Sequence, residues 1–408
     1  MAKYNNYKDT GIPWIGQIPL EWEVKRNKNV FSCNKNIVGS ESSSTQLLSL
    51  TTNGIRKKNI DETGGKIPES YDTYQHVKAN DIVMCLFDLD CSAVFSGLSK
   101  YDGMISPAYK ILRCNESIMP GFADYWFRSV FVGRKFKYLA KNIRYSLTYE
   151  DFSALEIPCP TLIEQKAIVD YLDRVCSNVD SIIAEAQASI EEYKAWKASI
   201  IYEAVTKGLD PNVEMKDSGV DIIGNMPDHW TVCRLKYLCN VMTGNQDTQN
   251  ADENGMYPFY VRSPIVQHSN TYTYDGEGIL MAGDGAGAGR VFHHAFGKYA
   301  IHQRVYCFHD FKNINTRYFL YFISELFKKV MDKGSAQSTV PSVRLPMIQD
   351  FVFCMPDAKE QADIVRYLDA KCNKIDEIIS EKEVLIADLE SYKKSLIFEV
   401  VTGKRKVV

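Results

Sequence analysis

The chain has 408 residues, more than one ordinary hydrophobic core accommodates, so two to four folded modules are expected. Hydrophobic residues at 45% and charged residues at 24% exclude a disordered polar chain or a fibre, and no run reaches the roughly 18 apolar residues of a membrane span. The formal net charge of -3 is poor for binding nucleic acid, but its distribution is uneven: about +2 over residues 21–157 and over 230–350, about -3 over 158–207 and about -4 over 357–402.

The start, Met1-Ala2-Lys3-Tyr4-Asn5-Asn6, lacks the apolar run of an export signal, which points to the cytoplasm. The 11 cysteines agree with that compartment: odd in number, scattered and without a Cys-x-x-Cys, they read as reduced, mostly buried thiols rather than zinc ligands or disulfides.

Taken along the chain, the first patterned segment is Asp9-Thr10-Gly11-Ile12-Pro13-Trp14-Ile15-Gly16, continuing to Trp22-Glu23-Val24-Lys25-Arg26. It returns at an offset of about 208 as Asp217-Ser218-Gly219 through Gly224, Pro227, Trp230 and Arg234. The stretch that follows, roughly 27–157, reads as mixed α/β, with strands at Ile82–Leu86 and Tyr109–Leu112 and a helix from Phe122. Arg56, Lys57 and Lys58 stand together beside Gly54, a candidate contact to phosphate or base edges, with a solvated loop as the alternative. Lys141-Asn142-Ile143-Arg144-Tyr145-Ser146 is a second polar cluster, from which Arg144 and Ser146 are candidates.

At Thr161-Leu162-Ile163-Glu164 a capping box opens a long helix: Thr should accept from the third amide while Glu reaches back to the cap. A second box, Asp357-Ala358-Lys359-Glu360, opens another. From Pro160 to Thr206 and Pro356 to Thr402, about 20 of 47 positions are identical at an offset of 196. Ile168, Leu172, Val175, Val179, Ile182, Ala186, Tyr193, Trp196 and Ile200 form a heptad seam, as do Ile364, Leu368, Ile375, Ile378, Leu385, Leu389, Tyr392 and Leu396. Between cap and end neither helix contains Pro or Gly over about 43 positions, so each spans roughly 64 Å at 1.5 Å per residue. An intramolecular pair is expected, against the alternatives of an ordinary bundle or of chains joined through the helices.

Residues 235–350 do not resemble 27–157 by eye, so a repeated scaffold holds two unlike inserts. Here Ile279-Leu280-Met281-Ala282 runs into Gly283-Asp284-Gly285-Ala286-Gly287-Ala288-Gly289. A dinucleotide fold needs a helix next, whereas Val291-Phe292-His293-His294 is strand-like, so the glycines read as a close backbone approach to another surface, a DNA backbone among the options. His293-His294 lacks an acidic ligand at a suitable spacing, which argues against a metal site. Base-reading chemistry is richer at Arg262-Ser263, His302-Gln303-Arg304 and, within Ser335–Thr339, Gln337-Ser338.

No phosphate-binding Gly-x-x-x-x-Gly-Lys-Ser/Thr loop, no Asp/Asn-Pro-Pro-Tyr/Phe element, no Gly-x-Ser-x-Gly elbow and no His-Glu-x-x-His helix occurs, so a binding protein is favoured over an enzyme.

The Asp9-Thr10-Gly11 to Trp22-Glu23-Val24 segment and the paired Glu-Gln-x-x-Ile-Val-x-Tyr-Leu-Asp helices resemble the DNA specificity subunits of type I restriction-modification systems. Pro68–Gln75 with Asn80–Val83, and Phe259–Ser263 with Ala282–Gly285, resemble two recurrent types of target-recognition domain. The resemblance implies an α+β chain with target-recognition domain 1 at 1–157, a long helix at 158–208, target-recognition domain 2 at 209–350 and a long helix at 351–408, the helices forming an antiparallel coiled coil in a pseudo-twofold, circular organisation. It further implies double-stranded DNA, two methyltransferase subunits and restriction/translocase subunits as partners. S-adenosylmethionine, ATP and Mg would be held by those partners, with no cofactor in this chain and no membrane. A coiled-coil protein-interaction scaffold without sequence-specific DNA binding is the alternative.

Overall fold

The computed structural model describes residues 3–407 apart from 13, 53, 60–69, 90–94, 133, 141–144 and 335–340. Among the described residues the α-helices are α1 (Pro120–Val132), α2 (Tyr149–Ala154), α3 (Leu162–Lys207), α4 (Thr316–Gly334), α5 (Leu345–Gln349) and α6 (Ala358–Val401), interleaved with short, mostly antiparallel strands in an α+β arrangement. The chain divides into two compact units, Met1–Ala186 with Val384–Val408, and Gln187–Glu383, so each takes part of both long helices.

Unit one begins with a hairpin, Tyr7–Asp9 against Gln17–Pro19. Asp9 Oδ1 accepts the Gly11 amide at 2.8 Å, and Gly11 and Gly16 take φ of 75° and 67°, a region where a Cβ is strained. The strand Glu23–Arg26 then pairs with Glu156–Cys159, closing the first insert at the entrance to α3. Trp22, buried between these pieces, donates its indole N–H to Glu164 at 3.0 Å, and the Tyr4 hydroxyl donates to the same carboxylate. The next side chain, Gln165, is fully buried. It accepts the Met119 amide just before α1 at 2.7 Å and donates to the Pro160 carbonyl at 2.9 Å. Tyr125 on α1 donates to Asp173 at 2.7 Å, so α3 is bolted to hairpin and insert alike. Ile168, Leu172 and Cys176 share their core with Leu396, Ile397, Val400 and Val401, and Lys393 pairs with Asp180, an antiparallel match of α3 with α6.

Unit two repeats this frame on its own residues. Met215–Asp217 pairs with Asn225–Pro227, and Asp217 Oδ1 accepts the Gly219 amide at 2.9 Å. Thr231–Arg234 pairs with Val352–Met355, Trp230 donates to Glu360 at 2.8 Å, Gln361 accepts the Asn315 amide just before α4 at 2.7 Å, and Tyr321 donates to Asp369 at 2.7 Å. Ile201, Ala204 and Val205 lie in one core with Ile364, Leu368 and Cys372, and Lys197 pairs with Asp376 at 2.6 Å, again antiparallel.

The two inserts share more than their sequences suggest. In unit one a four-stranded sheet has the order Phe31–Ser32, Lys110–Cys114, Ile82–Met84, Ser96–Leu98; in unit two the order is Asn240–Thr243, Val305–His309, Gly278–Ala282, Phe292–Ala295. Every pairing is antiparallel in both. The expectation of unlike inserts therefore needs correction: the heart of each is one topology, and buried strands need apolar residues rather than particular ones. What differs is the added strands, a hairpin at Leu48–Lys57 and a separate antiparallel pair of Gln75–Val77 with Gly103–Ile105 in unit one, and a four-stranded sheet containing one parallel pairing in unit two.

Two expectations for the helices also change. The capping boxes form by half: Asp357 accepts the Glu360 amide at 2.8 Å and Thr161 the Glu164 amide at 3.4 Å, but both Glu carboxylates turn to tryptophan instead of their own caps. The seam is also incomplete, because Ile182, Trp196, Leu385 and Tyr392 are exposed. Of its positions, Ile168, Leu172, Val179 and Ala186 are buried in α3 and Ile364, Leu368, Ile375 and Leu396 in α6, those toward the helix ends sharing the insert cores.

Candidate nucleic-acid interface

In unit one the cations sit on a β-hairpin, Leu48–Thr51 against Gly54–Lys57. Gly54, at φ 89°, makes the turn, and Leu50 and Ile55 fill the space over Gly97, so the hairpin is anchored by its apolar face. Arg56 and Lys57 are exposed, and the Lys57 ammonium lies 5.0 Å above the Tyr101 ring. Lys58 is half-buried, its amide donating to the Leu47 carbonyl at 2.9 Å. Ser146 lies on another segment, after Tyr145, which takes φ 45° and carries Lys137 4.8 Å from its ring. Arg144, the other candidate there, is outside the described residues, as are Gln337 and Ser338 of unit two.

In unit two the fold brings distant candidates together. Arg262 follows the strand Tyr257–Tyr260, Asp284 follows Gly278–Ala282, and Arg304 precedes Val305–His309. Because Ala282 pairs with Val305, the Asp284 and Arg304 ends are neighbours by register. Asp284 accepts from Arg262 Nη1 at 2.9 Å through one oxygen and from Arg304 Nη1 at 3.1 Å through the other. The carboxylate is only 16% exposed, against 44% and 62% for the two guanidinium side chains.

Beside this clasp, Gln303 Nε2 donates to Asp247 at 2.9 Å. His302 is buried; its Nδ1 accepts the Arg304 amide at 3.0 Å, which leaves the proton on Nε2, 3.7 Å from Asp247. Burial foremost, with the Arg262 charge second, holds His302 below the ordinary histidine pKa, so it is neutral at pH 7. Hydrogen bonds from Thr248 hold Asp247 below the usual carboxylate range. With Arg262 and Arg304 set against Asp284 and Asp247, the cluster is balanced in charge.

The glycine run forms the bed of this cluster. A Cβ on Gly287 would fall 2.6 Å from the Arg262 carbonyl and one on Gly283 2.9 Å from the Arg304 carbonyl, so the close approach is to the chain's own arginine-bearing segments. Ser263 donates to the Ile265 carbonyl at 3.1 Å, and its carbonyl accepts from His293 at 3.1 Å. His294 does have an acid nearby, Glu277 at 2.8 Å, yet among the described residues no group of His, Cys, Asp or Glu is placed to hold a metal. Seven of the ten described cysteines are buried, and burial pushes Cys114, Cys239 and Cys354 up to about 12. Among the described residues no helix is long and apolar enough to cross a membrane.

Asp284 and Asp247 are the residues that sequence reasoning missed. Asp284 lies 22 and 20 positions from its two arginines, and only the strand register joins them.

Residues 227–386 match the family model of the type I restriction modification DNA specificity domain. The chain is similar to the EcoDI type I restriction enzyme specificity subunit of Escherichia coli, 25% identical over 181 residues, which covers 44% of this chain and 40% of that protein. It is also similar to a Methanocaldococcus jannaschii protein assigned the name of the MjaX type I restriction enzyme specificity subunit, 23% identical over 441 aligned positions covering 99% and 98% of the two chains. Among solved structures, a chain from a study of complex assembly and conformational transition of the type I R-M system shares the fold with a TM-score of 0.70 at 14% identity, over 94% of this chain and 98% of that one.

Proposed function

We propose that this chain is a DNA specificity subunit of the type I restriction-modification family and that its two units are two readers, each taking one half of a split, asymmetric site on double-stranded DNA. The observation that carries this reading is the repeated frame with unlike heads. Trp–Glu, Gln–amide and Tyr–Asp contacts recur in both units, while the polar residues presented beyond the shared sheet differ completely. Evolution toward one recognition surface needs no second frame; two unlike targets do. Arg262, Ser263, Gln303, Arg304 and, beyond the described residues, Gln337 and Ser338 serve one half-site. Arg56, Lys57, Lys58, Arg144 and Ser146 serve the other, with His302 behind Gln303 and Arg304.

The subunit is the specificity component and not the catalytic one. Two methyltransferase subunits dock on the long helices, a role supported by their acidic balance and by exposed Ile182, Trp196, Val384, Leu385 and Tyr392. Restriction/translocase subunits join that core. S-adenosylmethionine, ATP and Mg belong to those partners, and the whole operates in the cytoplasm, where the DNA is. At 46 and 44 residues, α3 and α6 are each about 66–69 Å long, and their length sets the gap between half-sites. A scaffold that binds only proteins leaves the arginine clasp unexplained.

Coexpression with the cognate methyltransferase subunits, followed by genome-wide mapping of N6-methyladenine, tests this. A two-part, asymmetric motif with a fixed gap is expected; methylation without a motif, or a single contiguous motif, overturns the reading.

A further inference from the structure

We propose that Asp284 is a positioning residue that converts Arg262 and Arg304 from phosphate binders into base readers. The inference rests on the reading of those arginines given above and adds the device that makes them selective.

An arginine on a DNA-facing surface is drawn first to phosphate, which is everywhere on the duplex and carries no sequence information. Reading a base edge instead requires a guanidinium plane held at one angle, with its charge partly answered before DNA arrives. Asp284 supplies both. Its two oxygens each take one Nη1, so the two guanidinium groups are tied to a common point, and among the described residues the Nε and Nη2 donors of each are left for another partner.

The carboxylate itself has little freedom. Its backbone forms a bridge to Ser342, the Gly283 amide donates to the Arg304 carbonyl at 2.8 Å, the Val343 amide to the Gly283 carbonyl at 2.7 Å and the Gly285 amide to the Pro341 carbonyl at 3.0 Å. The loop is thus stitched to the Arg304 segment on one side and to Pro341–Val343 on the other, and glycine at 283 and 287 lets it lie against the two arginine segments. An acid at a DNA surface costs affinity everywhere. Its placement between two cations, on a loop built to hold it, makes sense if selectivity is what it gains.

The test uses the full chain assembled with its methyltransferase subunits and a random-sequence duplex library. Selected sequences give the base preference of each half-site, and binding of the unselected pool across a salt series gives non-specific affinity. Asp284→Asn should weaken base preference in the unit-two half roughly tenfold, leave the other half intact, and raise non-specific affinity with a salt slope steeper by about one ion. Asp284→Glu, which keeps the charge, should recover part of the preference. Higher non-specific affinity with preference unchanged would show a charge brake without positioning, and overturns the proposal. Equal loss in both halves shows general damage, and overturns it too. Arg262→Ala and Arg304→Ala separate the two levels: if neither changes the unit-two preference, the base-reading assignment itself fails, and the Asp284 role falls with it.

Discussion

The two units hold their cations in opposite ways. In unit two, Arg262 and Arg304 are shared by one carboxylate in a charge-balanced cluster, whereas in unit one Arg56 and Lys57 stand on a hairpin where no described carboxylate pairs with them. The same frame can therefore carry a restrained pair, suited to discrimination, or a loose pair, suited to attraction. Arginine count alone says little about which bases are read.

The frame is the part most easily broken. Trp22→Ala and Trp230→Ala each remove a buried indole and one of the hydrogen bonds that its glutamate accepts, and each should cost about 3–5 kcal/mol in its own unit. Hydrogen exchange read unit by unit checks this, and a loss spread evenly through the chain would contradict two separately braced units.

The heads come next. Arg262→Ala or Arg304→Ala should cost about 1–3 kcal/mol on the unit-two half-site alone. The double change of Arg56 and Lys57 to Ala should instead weaken binding to all sequences similarly and lower the salt slope by about one ion per cation. Titrations against half-site variants over a salt series distinguish these outcomes; identical behaviour of the two pairs would erase the contrast.

Smaller effects sharpen it. Tyr125 and Tyr321 donate to equivalent aspartates, but Asp369 is also paired with Arg317, through Nε at 3.1 Å and through Nη2. Tyr125→Phe should therefore cost about 1–2 kcal/mol in chemical denaturation, and Tyr321→Phe less. The smallest effect concerns pH. His302 and His293 are held below the ordinary histidine value, chiefly by burial, so the unfolded chain binds more protons and unit two loses stability as pH falls from about 7 toward 5. His302→Gln should flatten part of that slope in denaturation midpoints.

Much of the frame could be read from the residues themselves. The duplicated Asp-x-Gly hairpins, the Trp, the Glu-Gln pairs and the helix starts all recur at fixed offsets, and all recur in space. The common sheet of the inserts could not be read that way, because Ile82-Val83-Met84 and Ile279-Leu280-Met281, although both Ile-x-Met, are too short to mark a repeat, and apolar character is what any buried strand satisfies. The glutamates were visible as helix caps but not as tryptophan acceptors, since local spacing cannot reveal a partner more than a hundred residues away. Asp284 reads only as part of a glycine run making a close backbone approach, because its arginines, 22 and 20 positions away, are joined to it by strand register alone. Heptad spacing also continues through Ile182 and Trp196, although both side chains are exposed.

One feature of the frame bears on biosynthesis. Gly403 packs beneath Pro19 and Trp22, and the Lys404 ammonium reaches the Ile15 carbonyl at 2.8 Å, whereas unit two draws only on Gln187–Glu383. During translation, unit two has all its residues once position 383 has left the ribosome. Unit one, although its hairpin at Tyr7–Pro19 precedes unit two, must keep that hairpin and the α3 flank uncovered until Val384–Val408 follows, so a segment made before unit two is sealed after it.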